Sequence, residues 1–276
     1  MKVLITGGKG MLGRTLQKCW QDWDLVIADL PEADICDPAG FDRLIKDAKP
    51  DAVVHCAAMT QVDYEIGRLR DALFAQGLDR SNTIIAFVSD HGELLGDHCL
   101  FRKSLPYEGS AHVPLIISAS REALERAGYT GDTATADKLA ELRDVMPTLL
   151  SLCGIPVPDT VDGINLFGDE DRTCLHGEHL YDGESCQWIL SRENGRMEKF
   201  IWFSGSGRRQ YFDLTTDPDE THDGIGDACY AGRITVLERT LTDALAWREE
   251  GFVKDGKLTP GAVCRPVLEH GQRETE

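Results

Sequence analysis

The alternation of apolar and polar positions changes period several times along this chain, and each change marks an element. Lys2 to Thr6 is a β-branched apolar run that predicts a strand, followed by a glycine-rich turn and a predicted helix over Arg14 to Trp20. Leu25 to Ala28 and Asp51 to His55 read as two further strands, so the first sixty residues predict a βαβαβ unit. Ile66, Leu69, Leu73 and Phe74 then fall at helical spacing between charges, which predicts an amphipathic helix over Tyr64 to Gly77. Thr83 to Ser89 is a continuous apolar run, the pattern of a strand buried on both faces of a parallel sheet. Farther on, Leu142 to Cys153 predicts a helix that begins near Pro147 and ends at Gly154. Strands alternating with helices give an α/β fold class.

Composition narrows the picture. A chain of 276 residues that is 42% hydrophobic has enough apolar material for a core. Its net charge of −18 is uneven, because residues 1 to 63 hold seven Lys/Arg against ten Asp/Glu and most of the excess lies beyond them. Such a surface repels phosphate backbones and anionic lipids, so no nucleic-acid or membrane partner is expected. The opening MKVLITGG has only a short apolar run, and nine cysteines include no C-x-x-C pair. These features lead to the expectation of a cytoplasmic chain with reduced thiols and no zinc site.

Candidate chemistry begins at Gly7, Gly10 and Gly13, whose G-x-x-G-x-x-G spacing lies between a strand and a helix. Glycines there allow close backbone approach, while the helix N-terminus offers free N–H groups to a pyrophosphate. With TGGKGMLG, the acidic pair in Asp34-Ile35-Cys36-Asp37-Pro38, and PDAVVHCAAMTQVD, the segment resembles extended short-chain dehydrogenases, most closely the dTDP-4-dehydrorhamnose reductases. The resemblance implies that Gly7, Gly10, Met11, Leu12, Gly13, Asp34, Ile35, Ala57, Ala58 and Thr60 line an NAD(P) site. It also implies a Tyr-x-x-x-Lys pair for proton transfer, and no tyrosine of this chain has a lysine four residues on.

A second chemistry starts where the apolar run Thr83 to Ser89 stops at Asp90-His91-Gly92. A carboxylate beside an imidazole at the carboxyl end of a strand is a pair able to hold a cation. The longer string SDHGELLGDHCLFRKSLPYEGSAHVPLII resembles the sulfatases of the alkaline-phosphatase-like superfamily, and the pattern continues to about residue 250. By that resemblance Asp90 and His91 belong to a divalent-metal site, Ca2+ before others and weakly held, and Lys103 grips the oxyanion of a small-molecule sulfate or phosphonate ester. The implied fold is a Rossmann-like βαβαβ segment over residues 1–63, then a partial sulfatase α/β sandwich over 64–276 with a small carboxy-terminal subdomain at about 195–250, in which the resemblance implies strands at Lys199 to Trp202 and Tyr211 to Leu214 and a last helix over Ile234 to Glu249. His176-Gly177-Glu178-His179 offers two imidazoles three residues apart, a weaker metal candidate.

Sulfatases take their nucleophile from a C/S-x-P/A-x-R motif. Cys264-Arg265-Pro266-Val267-Leu268 has Leu where Arg is required, and Ser104-Leu105-Pro106-Tyr107-Glu108 fails likewise, so little or no catalysis is expected. Thr60-Gln61-Val62-Asp63 satisfies the reductase pattern and the sulfatase pattern at once, which makes the chain a chimera joined at that tetrapeptide. Each piece then lacks elements that would cover it, and self-association through exposed apolar surface is expected.

Overall fold

Strand β1 (Lys2–Thr6) runs parallel to both β2 (Asp24–Ala28) and β3 (Ala52–His55), giving the order β2-β1-β3. Its central place explains why Val3, Leu4 and Ile5 are all buried, as a strand covered on both faces requires. Helix α1 (Pro38–Ala48) lies between β2 and β3 in the chain, and the backbone N–H of Lys2 bonds the Asp51 carboxylate at 2.8 Å where β3 begins. The computed structural model describes residues 2–6, 17–18, 21–28, 38–55, 57–131, 138–181 and 184–261. The chain divides into two compact units, Met1–Asp79 and Arg80–Glu276. The helix expected over Arg14 to Trp20 lies outside the described residues except for Gln17 and Lys18, which are helical.

The first unit ends in helix α2 (Ala57–Ala75). A loop was expected at Ala57-Ala58 with the helix starting only at Tyr64; instead the helix runs unbroken through Thr60-Gln61-Val62-Asp63. The reason is local: Ala57, Ala58, Met59 and Gln61 favour helix, and no proline interrupts them. Of its residues 62–75, all are exposed except Gly67 and Leu73.

In the second unit, β4 (Ile85–Val88) pairs with β5 (Leu115–Ser118). The parallel, doubly buried strand expected here is corrected on both points. The pairing is antiparallel in a two-stranded sheet, and Phe87 stands opposite Ile116 with both side chains exposed. The apolar run was read rightly as a strand, but the elements that would cover its outer face are not among the described residues. The inner side is covered by α4 (Arg121–Arg126) and α5 (Val145–Cys153) through Ala119, Ala123, Ala127 and Leu152, with α3 (Glu108–Ala111) earlier in the chain. Ser120 caps α4 by accepting from Ala123 N–H at 3.1 Å, and Pro147 falls in the first turn of α5, where a missing N–H costs nothing.

Strands β6 (Cys174–Tyr181), β7 (Glu184–Glu193), β8 (Arg196–Phe203) and β9 (Arg209–Asp213) form an antiparallel meander. The subdomain expected at about 195–250 from two strands therefore has two more strands and starts at Cys174. Period two sorts its side chains. Ile189, Phe200, Trp202 and Tyr211 face α6 (Ala231–Leu245) through Ile234, Leu237, Leu241 and Leu245. Cys186, Ile201, Phe203 and Phe212 instead meet Leu94 and Tyr107 from the segment after β4. Gly177 is required in β6, since a Cβ there would lie 2.2 Å from the Trp188 ring across the ladder. No helix among the described residues is long and apolar enough to cross a membrane.

Candidate functional site

Asp90 and His91 directly follow β4, and the turn holding them is set by backbone contact. Gly92 donates its N–H to Ser110 O at 2.8 Å, and a Cβ on Gly92 would sit 2.2 Å from Gly109 O, so only glycine lets this turn close on α3. Lys103 is twelve residues farther on, yet the intervening loop folds back on itself. Leu94 N–H bonds Arg102 O at 2.9 Å and Gly96 N–H bonds Leu100 O at 2.8 Å. Leu95, His98, Cys99 and Arg102 all take positive φ to make that reversal. Leu94, Leu100, Leu105 and Tyr107 pin the loop to the β6–β9 sheet, and His98 stacks on Tyr107 with ring centroids 4.0 Å apart.

The result brings together the three residues expected from sequence. Lys103 Nζ lies 2.6 Å from His91 Nε2, and Asp90 Oδ2 lies 3.3 Å from the same nitrogen. His91 Nδ1 is 2.7 Å from the Gly92 carbonyl, which can only accept, so Nδ1 carries the proton and Nε2 presents its lone pair. Lysine's ammonium donates to that lone pair and thus stands where a bound cation would. The 3.3 Å between Nε2 and Oδ2 is also the spacing of neighbouring ligand atoms around a cation with bonds of about 2.3 Å. The donor set fits one side of a divalent ion. No group of three or more potential ligands occurs among the described residues, so the remaining positions would fall to water or a bound ester.

A network that sequence reasoning missed holds the far end of the Lys103 loop. Lys199 is 1% exposed, and its ammonium donates to Pro106 O at 2.8 Å, Glu108 at 2.6 Å and Glu220 at 2.7 Å. Glu220 in turn accepts from Glu108 N–H at 2.6 Å. Burial pushes the Glu108 carboxyl up, but its bond to His112 and the Lys199 charge outweigh this and hold it at about 2. His112 is raised above its ordinary value by the same bond. The available signal was Glu198-Lys199 inside the apolar run of β8: a charge there demands a partner.

His176-Gly177-Glu178-His179 is not a metal site. On a strand, residues three apart face opposite sides, which separates the two imidazoles. His176 Nε2 instead bonds Gln187 Oε1 at 2.8 Å, and Glu178 pairs with Arg248 at 3.0 Å. One pentapeptide with the C-x-A-x-R spacing, Cys229-Tyr230-Ala231-Gly232-Arg233, also escaped the sequence reading. It forms the turn into α6; Tyr230 packs on Tyr211, and Arg233 pairs with Glu198 at 2.7 Å and Glu193 at 3.1 Å, so its arginine is committed to the sheet. Of the expected dinucleotide site, Gly7, Gly10, Met11, Leu12, Gly13, Asp34 and Ile35 lie outside the described residues. Ala57, Ala58 and Thr60 lie in the first turn of α2.

Comparison with known proteins divides the chain in the same way. Residues 1–66 match the family model described as RmlD substrate binding domain. An arylsulfatase of Clostridium perfringens is 40% identical over 225 residues, covering 79% of this chain and 44% of that protein. Human arylsulfatase K is 31% identical over 189 residues, covering 63% and 33%. The chain thus spans less than half the length of the curated relatives it matches. Among solved structures, the phosphonate monoester hydrolase of Agrobacterium radiobacter has a TM-score of 0.53 at 26% identity, covering 67% of this chain and 39% of its own. The protein BT4656, solved in complex with its substrate D-glucosamine-2-N,6-O-disulfate, has a TM-score of 0.57 at 26% identity, covering 67% and 38%.

Proposed function

We propose that this chain, an RmlD-like segment joined to part of a sulfatase, binds a small sulfate or phosphonate ester at Asp90, His91 and Lys103 and turns it over slowly or not at all. One observation carries the reading: the Lys103 ammonium and an Asp90 carboxylate oxygen both lie within 3.3 Å of His91 Nε2 at the carboxyl end of β4. Asp90 and His91 would hold a divalent metal in the position the Lys103 ammonium now takes against Nε2, and the metal would supply positive charge to a bound ester, to which Lys103 would add a second. Together they would neutralise the charge that develops as the ester bond breaks. An imidazole with a carboxylate suits Mn2+ or Zn2+ at least as well as the Ca2+ expected from sequence.

No attacking group is assigned to this site among the described residues. Ser89, the hydroxyl just before Asp90, donates to His91 O at 2.6 Å. Cys229 belongs to the turn before α6, beside an arginine already paired. Because nucleophile and metal cage work as a unit, losing one removes most of the rate enhancement. The test measures turnover of 4-nitrophenyl sulfate and a 4-nitrophenyl phosphonate with Mn2+, Zn2+ or Ca2+, beside calorimetry with inorganic sulfate. The expected outcome is turnover at the buffer rate and sulfate binding that weakens at least tenfold, about 1.4 kcal/mol, in Lys103→Ala. Brisk turnover abolished by that change would make the chain a working hydrolase, and sulfate binding unaffected by it would remove Lys103 from the site.

A second reading rests on the parallel β2-β1-β3 order, one of the orders of nucleotide-binding doubly wound sheets, together with the match over residues 1–66. In it the glycine turn after β1 holds NAD(P) without hydride chemistry, for want of the Tyr-x-x-x-Lys pair. Titration with NADPH separates the two readings, since only this one expects a saturable signal.

A further inference from the structure

The apolar side of helix α2 is largely exposed over its described side chains. Val62, Ile66 and Leu69 are 55%, 40% and 63% exposed, and Leu73 is half-buried. At about 100° per residue these four side chains fall in one strip about 60° wide, running three turns along the helix. An amphipathic helix owes most of its stability to packing of that strip, which here faces solvent.

Charges along one border of the strip point to what packs there. By the same rotation, Asp63 and Arg70 lie along one border and Glu65 along the other, while Arg68 falls on the far face. The first border has its acid toward the amino end and its base toward the carboxyl end. When two copies of the helix meet antiparallel about a two-fold axis, each border meets itself reversed, so Asp63 of one copy faces Arg70 of the other. A parallel pair would set opposite borders side by side, with Asp63 near Glu65 of the other copy, like against like. Within one chain, Arg70 reaches Asp71 at 3.1 Å in solvent, so exchanging that pair across an interface costs little.

We propose that α2 is a homotypic docking element, on which a second copy of this chain seats its own α2 antiparallel across Val62, Ile66, Leu69 and Leu73. The contact is isologous, so it closes at two copies rather than growing into a fibre. It is also small, among interfaces below about 1,200 Å², and dimer is expected only at concentrations on the order of 10 µM and above.

Sedimentation velocity on the full chain, from about 1 to 200 µM, tests this. The wild type should pass from monomer to dimer across that range and stop there. Leu69→Glu should stay monomeric. Arg70→Asp, which sets Asp63 against a like charge, should raise the dissociation constant at least tenfold, and the double exchange Asp63→Arg with Arg70→Asp should restore it. Circular dichroism of each variant confirms that the helix persists, and the exchanged charges are all exposed. A chain that is monomeric at the highest concentration would overturn the proposal. So would a dimer indifferent to Leu69→Glu, which would place the contact elsewhere, for instance on Phe87 and Ile116, and so would a double exchange that fails to restore association.

Discussion

Lys199 shows how one residue can fix a distant one. Its three ammonium protons are all spent, on Pro106, Glu108 and Glu220, within a region where the lysine and Glu220 are almost completely buried. Removing the cation alone leaves the buried Glu220 carboxylate facing that of the partly buried Glu108, a loss of about 3–5 kcal/mol for a buried pair. Lys199→Met is therefore expected to lower the urea midpoint of the second unit by that free energy while leaving the size of the side chain nearly unchanged. A variant that unfolds within 1 kcal/mol of wild type, an interval set by the measurement itself at about that size, would mean that the network contributes little. Pro106 and Glu108 follow Lys103 by a few residues, so the same change should loosen the ammonium of Lys103 from His91. Histidine carbon resonances of His91 report that directly.

Among the elements, the meander β6–β9 shows where the sequence was readable and where it was not. Strands β8 and β9 were legible because aromatic and β-branched residues crowd them. Strands β6 and β7 were passed over because Cys174 to Tyr181 contains two histidines, a glutamate and a glycine, a composition that reads as a site rather than a strand. A signal was nonetheless present: Asn194-Gly195, with φ of 52° and 79°, is a two-residue hairpin connection, and Asp182-Gly183 is the same kind of dipeptide in sequence. The glycine of the histidine-rich string belongs to packing, beneath Trp188. Gly177→Ala is expected to displace that indole and cost about 1–3 kcal/mol, the range for overpacking. A shifted tryptophan emission and a lowered melting midpoint would register it; an unchanged spectrum with unchanged stability would show that the ring moves aside freely. The closeness of Asp90, His91 and Lys103 was legible because the three residues lie in one string. Lys199, Glu108 and Glu220 were not, because their partnership spans more than a hundred residues and no local pattern encodes it.

At the scale of the whole molecule, two compact units meet at Asp79–Arg80, whereas the match to the RmlD description ends at residue 66 and the shared tetrapeptide is Thr60–Asp63. Packing and ancestry thus change at different places, with α2 between them. The first unit has fewer than eighty residues, a size at which a single core is marginal. Calorimetry is expected to resolve two transitions, the first unit melting below the second. Brief proteolysis should cut first in the exposed stretch 76–82 and leave a fragment beginning near Arg80. One sharp transition accompanied by resistance in that stretch would mean the two units melt as one.

The continuity of α2 across the shared tetrapeptide makes the junction behave like a rigid shaft rather than a hinge. Adding one residue between Thr60 and Asp63 would advance the rest of the helix by about 1.5 Å and turn it through about 100°, while adding seven would return it almost to its starting phase. A recombination that keeps reading frame in the gene therefore still has to keep angular phase in the protein, and only a narrow set of splice lengths does both.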